Sequence, residues 1–419
     1  MGFIQRRRHL DPYDFLVLMS VGQLGMKHPS LAGMVDALGN PMQRQSLDQR
    51  FTQKAVNFLE RCFQFVLKQS VQSQQLQSKY LRPFKRIFIH DSSGWDVDPK
   101  LQAVLPGYGG DASKAHCKIQ LCYEYRQGTL SSFEITSGTH SDNRYTTKLA
   151  QQVGDQDLLL ADLGYFCLKT FHQIDQKGGF FVSRLLIGTS LYDPQNGQAI
   201  ELEKMLNSIH GHLQEKEILL GAEKQSQLRC RLICLRLSKE QADQRRRKLR
   251  RQAVKKGRIP TQFHLNLCDW ILMVANVPQK FLPAEIVRSF YSLRWQIELL
   301  FKELKSILQV HRSATTNPHR LKCELYGKLI AAVLIHRLHG ALRIPLWNTQ
   351  KKELSMDKFY KRLQERAFTI LKILLASLRK TILYLHHEIP KLINNCLLLH
   401  QPSRKTTLQI LTVLKKSAA

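Results

Sequence analysis

Between Phe290 and Leu308 the chain reads FYSLRWQIELLFKELKSIL. At about 100° per residue on a helix, Phe290, Leu293, Ile297, Leu300, Phe301, Leu304, Ile307 and Leu308 share one arc roughly 120° wide. The spacing predicts a helix here with that arc against a core. Tyr291, Arg294, Glu298 and Lys305 fall within about 60° of one another on the opposite face. Apolar residues recur at helical spacing in Pro12 to Met19 and in Phe51 to Val71, where Val56, Leu59, Phe63, Val66 and Leu67 form the stripe. Residues 1–80 therefore read as a small helical domain, suited either to recognising a partner or simply to packing. His319 to Leu338 and Met356 to Leu385 are long helical patterns, with Pro345 and Pro390 expected to break them. Leu371, Leu374, Leu375, Leu378, Ile382 and Leu385 form a further stripe. Part of it, between Phe368 and Leu399, would serve either core packing or contacts with a second copy.

From Phe84 the period changes to that of strands. FKRIFIHDSSGWDV runs through Ile87 and Ile89 into Asp91. A Gly-rich connection follows from Pro106 to His116. Two strands, 117–125 and 130–139, turn at Gln127-Gly128. Asn143 to Val153 is a short helix, DLLLADLGYF is an apolar run into Asp162, and Phe180 to Leu186 is one more strand. Strand, strand, strand, helix, strand, helix, strand is the order of a ribonuclease-H-like fold. The predicted class is α/β, a ribonuclease-H-like core of mixed sheet and flanking helices. Residues 81–186 give its first part and 284–345 its second. Between them, 187–283 reads as a mostly β insertion, and 346–419 is helical. Within the insertion LRCRLICLRLS (228–238) alternates apolar and basic residues, as a strand lying on DNA would. NLCDWILMVANVP (266–278) is the returning strand.

Charge adds a partner. The 419 residues carry 63 Lys and Arg against 33 Asp and Glu, net +30. Such an excess repels itself unless a polyanion neutralises it, and nucleic acid is the obvious one. It is densest at RRRKLRRQAVKKGR, with nine cations and no acid: Arg245, Arg246, Arg247, Lys248, Arg250, Arg251, Lys255, Lys256 and Arg258. The nine Cys are scattered without a paired CxxC, the usage of a reducing compartment. Neither Cys230 with Cys234 nor His336 with His339 has partners at zinc spacing. No apolar run follows the basic start, and Leu329 to Leu346, the most apolar stretch, holds His336, Arg337, His339 and Arg343 and reads as a buried helix.

Two acids stand where buried strands emerge. Asp91 follows Ile87-Phe88-Ile89 and precedes Ser92-Ser93-Gly94. Asp162 follows Leu158-Leu159-Leu160 and precedes Gly164. Small residues there let a ligand approach. Asp96 and Asp98 compete with Asp91, which is preferred because it directly ends the hydrophobic run. Glu298 is the third acid. A carboxylate on a packed helix is a good metal ligand, and neighbouring Arg and Lys suit phosphate.

Tyr-x2-Arg-x3-Glu-x6-Lys, as Tyr291, Arg294, Glu298 and Lys305, resembles the signature of one group of bacterial insertion-sequence transposases, the DDE enzymes. With Asp91 and Asp162 upstream, the resemblance covers roughly residues 84 to 315. It implies that Asp91, Asp162 and Glu298 hold two Mg²⁺ ions, with Mn²⁺ able to substitute, and catalyse cleavage and strand transfer at the ends of an insertion sequence. Tyr291, Arg294 and Lys305 would contact phosphates beside the scissile bond. In hairpin-forming relatives a Trp in the insertion stacks on a flipped base, and Trp270, 21 residues before Tyr291, is the candidate, against a plain core Trp. Double-stranded DNA is the implied partner, with the helical residues 1–80 as the candidate DNA-binding domain that would recognise element ends, against a plain packing domain. A homodimer pairing two ends in the bacterial cytoplasm, at the nucleoid and away from membranes, is the implied setting. The alternatives are a metal-dependent nuclease or resolvase on the same fold, cutting without joining, and a decayed relative that only binds DNA.

Overall fold

The computed structural model describes residues 10–26, 30–39, 41–68, 79–109, 113–222, 227–313 and 315–398. The basic start, the last residues of the helix expected to reach Val71, part of the Gly-rich connection, and everything from Leu399 onward lie outside them. Nine strands are described: β1 Ile87–Asp96, β2 His116–Glu124, β3 Thr129–Ser137, β4 Leu158–Ala161, β5 Phe180–Arg184, β6 Leu191–Tyr192, β7 Leu213–Leu220, β8 Leu228–Arg236 and β9 Trp270–Ala275. With helices Thr146–Gln152 before β4 and Leu168–Gln176 after it, the chain runs strand, strand, strand, helix, strand, helix, strand through β5. The protein is a mixed α/β chain with a large mixed sheet and many helices. Its contacts divide it into two compact units.

One unit comprises residues 78–90 and 141–295 of the described chain. Its strands lie in the order β1-β4-β5-β9-β8-β7-β6, β1 contributing its first four residues. β4 is parallel to both β1 and β5, with Ile87 opposite Leu158 and Leu158 opposite Phe180. A strand with parallel neighbours on both sides is usually covered on both faces, which suits a continuous apolar run. All four residues of β4 are buried accordingly. β9 then pairs antiparallel with β5 and with β8. The expected insertion therefore extends the sheet that β4 and β5 begin. Phe84 meets both Phe180 and Phe290 at 5.8 Å between ring centres, and Phe171 stacks on Phe181 at 4.2 Å.

β8 departs from the expectation of a cationic strand face laid on DNA. Arg229 pairs with Glu217 and Arg231 with Glu215 on neighbouring β7. Arg231 also donates to the carbonyls of Val277 and Leu282. Cross-strand pairing of opposite charges consumes these cations.

The other unit comprises residues 91–140, the N-terminal helices and the helices from Gln296 onward. The remainder of β1, β2 and β3 form its sheet, ordered β3-β2-β1. The N-terminal helix Gln53–Lys68 lies along the 33-residue helix Pro318–Gln350. Phe63 packs on Phe133 and Tyr326, and Tyr326 Oη donates to Glu60 at 2.9 Å. That long helix is apolar enough by composition to cross a membrane, yet 61% of its most apolar window is buried within the protein, as the sequence expectation had it.

The prolines do not break their helices. Pro318–Gln350 runs through Pro345 and Leu378–Cys396 runs through Pro390. Each proline costs a hydrogen bond and about 3 kcal/mol in a helix interior. Both prolines are exposed, while Leu346, Trp347 and Leu392 close by on the same helices are buried. The break falls at Ser377, extended at φ −166°, whose hydroxyl caps the next helix. Of the C-terminal stripe, Leu371 is buried, whereas Leu378 and Ile382 are exposed.

The helix around Glu298 is buried along its whole expected stripe, from Phe290 at 0% to Phe301 at 7% exposed. It is not one straight helix. Ala284–Tyr291 ends in a 3₁₀ turn, Ser292–Arg294, before Trp295–Ser306 begins. The turn advances three residues per revolution instead of 3.6.

Candidate functional site

The paired run of β1 and β4 ends at His90 opposite Ala161. The next residue along each strand is an aspartate, Asp91 and Asp162. Asp91 was expected to end its strand, but β1 continues to Asp96, and only its burial weakens after His90.

Asp162 leaves β4 in an extended conformation and heads a 3₁₀ turn, Leu163–Tyr165. Its side chain is 31% exposed. Arg184, the last residue of β5, donates to Asp162 Oδ1 at 3.1 Å, and Arg294 Nε lies 3.9 Å from the same oxygen. The register Ala161 opposite Ser183 sets Arg184 beside Asp162. Tyr291 Oη donates to the Ala161 carbonyl at 3.0 Å, and the Arg294 guanidinium lies 6.0 Å from its ring centre. Burial raises the Tyr291 pKa, the nearby arginines oppose the rise and the Asp162 charge adds to it, so the phenol stays a hydrogen-bond donor. Behind this group His90 stacks on Tyr145 at 4.7 Å, and Tyr165 Oη donates to Asp142.

A cleft of about 700 Å³ opens beside Asp162. Leu163, Arg184, Arg288, Tyr291, Arg245 and Lys248 are among its lining residues. Trp270 contributes to the wall but is only 5% exposed, with the Arg236 guanidinium 4.7 Å over its ring. The basic run forms a helix, Lys239–Lys255, capped by the Ser238 side chain. Two of its arginines are engaged within the protein. Arg245 donates to the Trp270 carbonyl at 2.6 Å, and Arg246 pairs with Asp243 and Asp269. Arg247, Lys248, Arg250, Arg251, Lys255 and Lys256 are exposed.

In the other unit Asp91 is half-buried, its Oδ1 accepting the Ser92 backbone N–H at 2.8 Å. Glu298 is half-exposed on the Trp295–Ser306 helix. Lys305, two turns on, donates to the Gly94 carbonyl at 3.1 Å and lies 5.9 Å from the Trp95 ring centre; burial lowers its pKa. The glycine has a packing reason. A Cβ at Gly94 would stand 2.2 Å from His116 Nε2, and His116 Nδ1 is in turn bonded to Asp96 at 2.7 Å. Asp96 is thus tied to a histidine, and Asp98 caps a short turn.

Among the described residues no three His, Cys, Asp or Glu side chains gather closely enough to hold one metal ion. Asp162 has two guanidinium groups beside it, those of Arg184 and Arg294. In donor chemistry the three acids fit a hard divalent cation: all are carboxylates and all are partly exposed.

Sequence reasoning missed Arg184 and Arg288. The signal for Arg184 was a lone cation ending a buried strand, FFVSR, and its meaning depended on β5 lying next to β4. Arg288 stood three residues before Tyr291, one helical turn away.

A strand-end acid flanked by two arginines beside a cationic cleft is a setting whose chemistry suits phosphate. Residues 82–334 match the family of the transposase DDE domain. The chain belongs to that family: it is a DDE transposase of the bacterial insertion-sequence kind, an enzyme of DNA cleavage and strand transfer. It is 30% identical to the transposase for insertion sequence element IS231E of Bacillus thuringiensis subsp. finitimus, over 99% of this chain and 91% of the relative. It is 31% identical to that for IS231F of B. thuringiensis subsp. israelensis, over 97% and 88%. A piggyBac transposase synaptic complex with hairpin DNA, 11% identical, superposes with a TM-score of 0.47 over 95% of this chain and 80% of the other.

Proposed function

We propose that Asp91, Asp162 and Glu298 are the catalytic acids of a ribonuclease-H-like transposase that frees an insertion sequence and joins it to a new site. The observation that carries this reading is the Asp162 carboxylate flanked by Arg184 and Arg294, with Arg184 also lining the adjacent cationic cleft. The three acids would hold two Mg²⁺ ions, for which Mn²⁺ would substitute. When bound, such ions lower the pKa of an attacking water or 3′-OH and offset charge on the leaving oxygen. A new P–O bond then forms in line as the bond to the leaving 3′ oxygen breaks, and that oxygen takes up a proton.

The chain's own cations do the rest. Arg294 and Tyr291 orient the phosphate beside the scissile bond, and Lys305 holds a phosphate further along the strand. Arg184, which here donates to Asp162, would lie within reach of a phosphate oxygen if Asp162 held a cation. Arg247, Lys248, Arg250, Arg251, Lys255 and Lys256 bind double-stranded DNA. Trp270 walls the cleft from behind Arg236 rather than offering an open stacking face. Two chains would pair two element ends in the bacterial cytoplasm, at the nucleoid.

Asp162→Ala tests the reading. Purified protein with Mg²⁺ and an end-bearing duplex is scored for nicked, released and joined products. The variant should lose cleavage and joining by at least a thousandfold while binding the duplex within a fewfold of wild type. Normal cutting by the variant refutes the assignment. Cutting without joining by the wild type makes it a nuclease.

A further inference from the structure

We propose that the basic helix Lys239–Lys255 enters the major groove and reads base edges there, with Gln244 and Arg251 as its specificity-determining residues. This rests on the reading that the helix binds DNA, and goes on to say what it recognises.

The helix is anchored along one edge only. Ala242 is buried, Leu249 and Ala253 are half-buried, and Arg245 and Arg246 tie the first half down. From Arg247 to Lys255, among the described residues, no side chain is hydrogen-bonded or ion-paired to the rest of the protein. At about 100° per residue the exposed positions cover an arc of roughly 220°. An ordinary helix lying on a sheet shows about half its circumference to water and varies its charges. This one stands proud and carries no acid after Asp243.

The major groove of B-DNA, about 12 Å wide, admits a single α-helix. A helix seated there needs base-reading side chains at the centre of its free arc and phosphate-binding cations at the flanks. Gln244, Arg247, Lys248, Arg251 and Lys255 form one ridge at i, i+3, i+4, i+7 and i+11. Gln244 and Arg251 lie within about 10° of the arc's centre, and Arg250 about 110° to one side, by the same arithmetic. Gln bonds adenine through two groups and Arg bonds guanine through two groups. Val254, 77% exposed on the same arc, is wasteful in water but suits a thymine methyl. Position matters too. Gln244 and Lys248 line the same cleft as Arg184 and Tyr291. The bases read would therefore lie within a few base pairs of the phosphate served by Asp162.

The test uses the full chain in EDTA and a pool of duplexes randomised over 30 positions. The sequence that wild type enriches is compared with a scrambled duplex. Gln244→Ala, and Arg251→Lys, which keeps the charge but loses the two-pronged bond, should each cut the preference for the enriched duplex about tenfold. Their affinity for the scrambled duplex should stay within twofold of wild type. Arg250→Ala should weaken both duplexes equally and lower the salt slope by about one. If no sequence is enriched, or both variants keep the wild-type preference, the proposal is overturned, even where Arg250→Ala still weakens binding. If Arg250→Ala, alone and combined with Arg247→Ala and Arg251→Ala, changes nothing on any duplex, the underlying DNA-binding role of this helix fails instead.

Discussion

Glu303 sits five residues beyond Glu298 on the same helix, and its surroundings make it a measurable liability. It is 9% exposed. Burial, and then the charge of Asp357, raise its pKa from an ordinary 4.5 to about 8, with Lys302 only partly opposing the rise. The folded protein therefore keeps Glu303 protonated at neutral pH, whereas the unfolded chain ionises it. Above pH 4.5 the unfolded state has released a proton that the folded state still holds, so stability falls as pH rises until about pH 8. At about 1.4 kcal/mol per pH unit, the loss by pH 7 is on the order of 3 kcal/mol. Gln keeps the shape and cannot ionise. Glu303→Gln should match wild type near pH 4.5 to 5 and exceed it progressively toward pH 8, after which the gap stays constant. Thermal melts of the full chain at pH 5, 6, 7 and 8 measure this gap as a growing Tm difference. A difference that stays flat across that range would refute the buried-acid account.

Gly94→Ala should cost about 1–3 kcal/mol, as overpacking does, because its Cβ meets His116 Nε2; a Tm equal to wild type, or no recovery on adding His116→Ala, would count against the clash. Arg231→Met leaves Glu215 and two carbonyls without their donor and should destabilise by about 3 kcal/mol. The salt slope of DNA binding should not change, since this cation is already spent, and a flatter slope would return β8 to the DNA interface. Pro345→Ala should restore one helical hydrogen bond and raise the Tm by an amount worth up to about 3 kcal/mol, and a lower Tm would mean that the kink is needed for packing.

Several features were legible because they obey local rules. The eight-residue stripe from Phe290 to Leu308 is buried throughout, since 100° periodicity survives a single 3₁₀ turn well enough to keep one side apolar. The strand and helix order through β5 followed from apolar runs bounded by turns. The two aspartates were visible as charges ending those runs, and the Tyr-Arg-Glu-Lys spacing lay in one continuous segment. The prolines misled because a breaking tendency of about 3 kcal/mol is smaller than the burial of a long helix.

What the linear chain determined about this protein was its periodicity, its charge and its signature, and through these its family. Only tertiary structure decided which strands are neighbours. β9 returns from residue 270 to lie beside β5, and β5 beside β4, which sets Arg184 against Asp162. β7 lies beside β8, and its Glu215 and Glu217 pair with Arg231 and Arg229, the cations expected to face DNA. Helix Gln53–Lys68 meets a helix more than 250 residues later through Phe63 and Tyr326. These pairings join segments far apart in sequence, and what fixes them is the burial of whole faces against one another, which no local pattern contains.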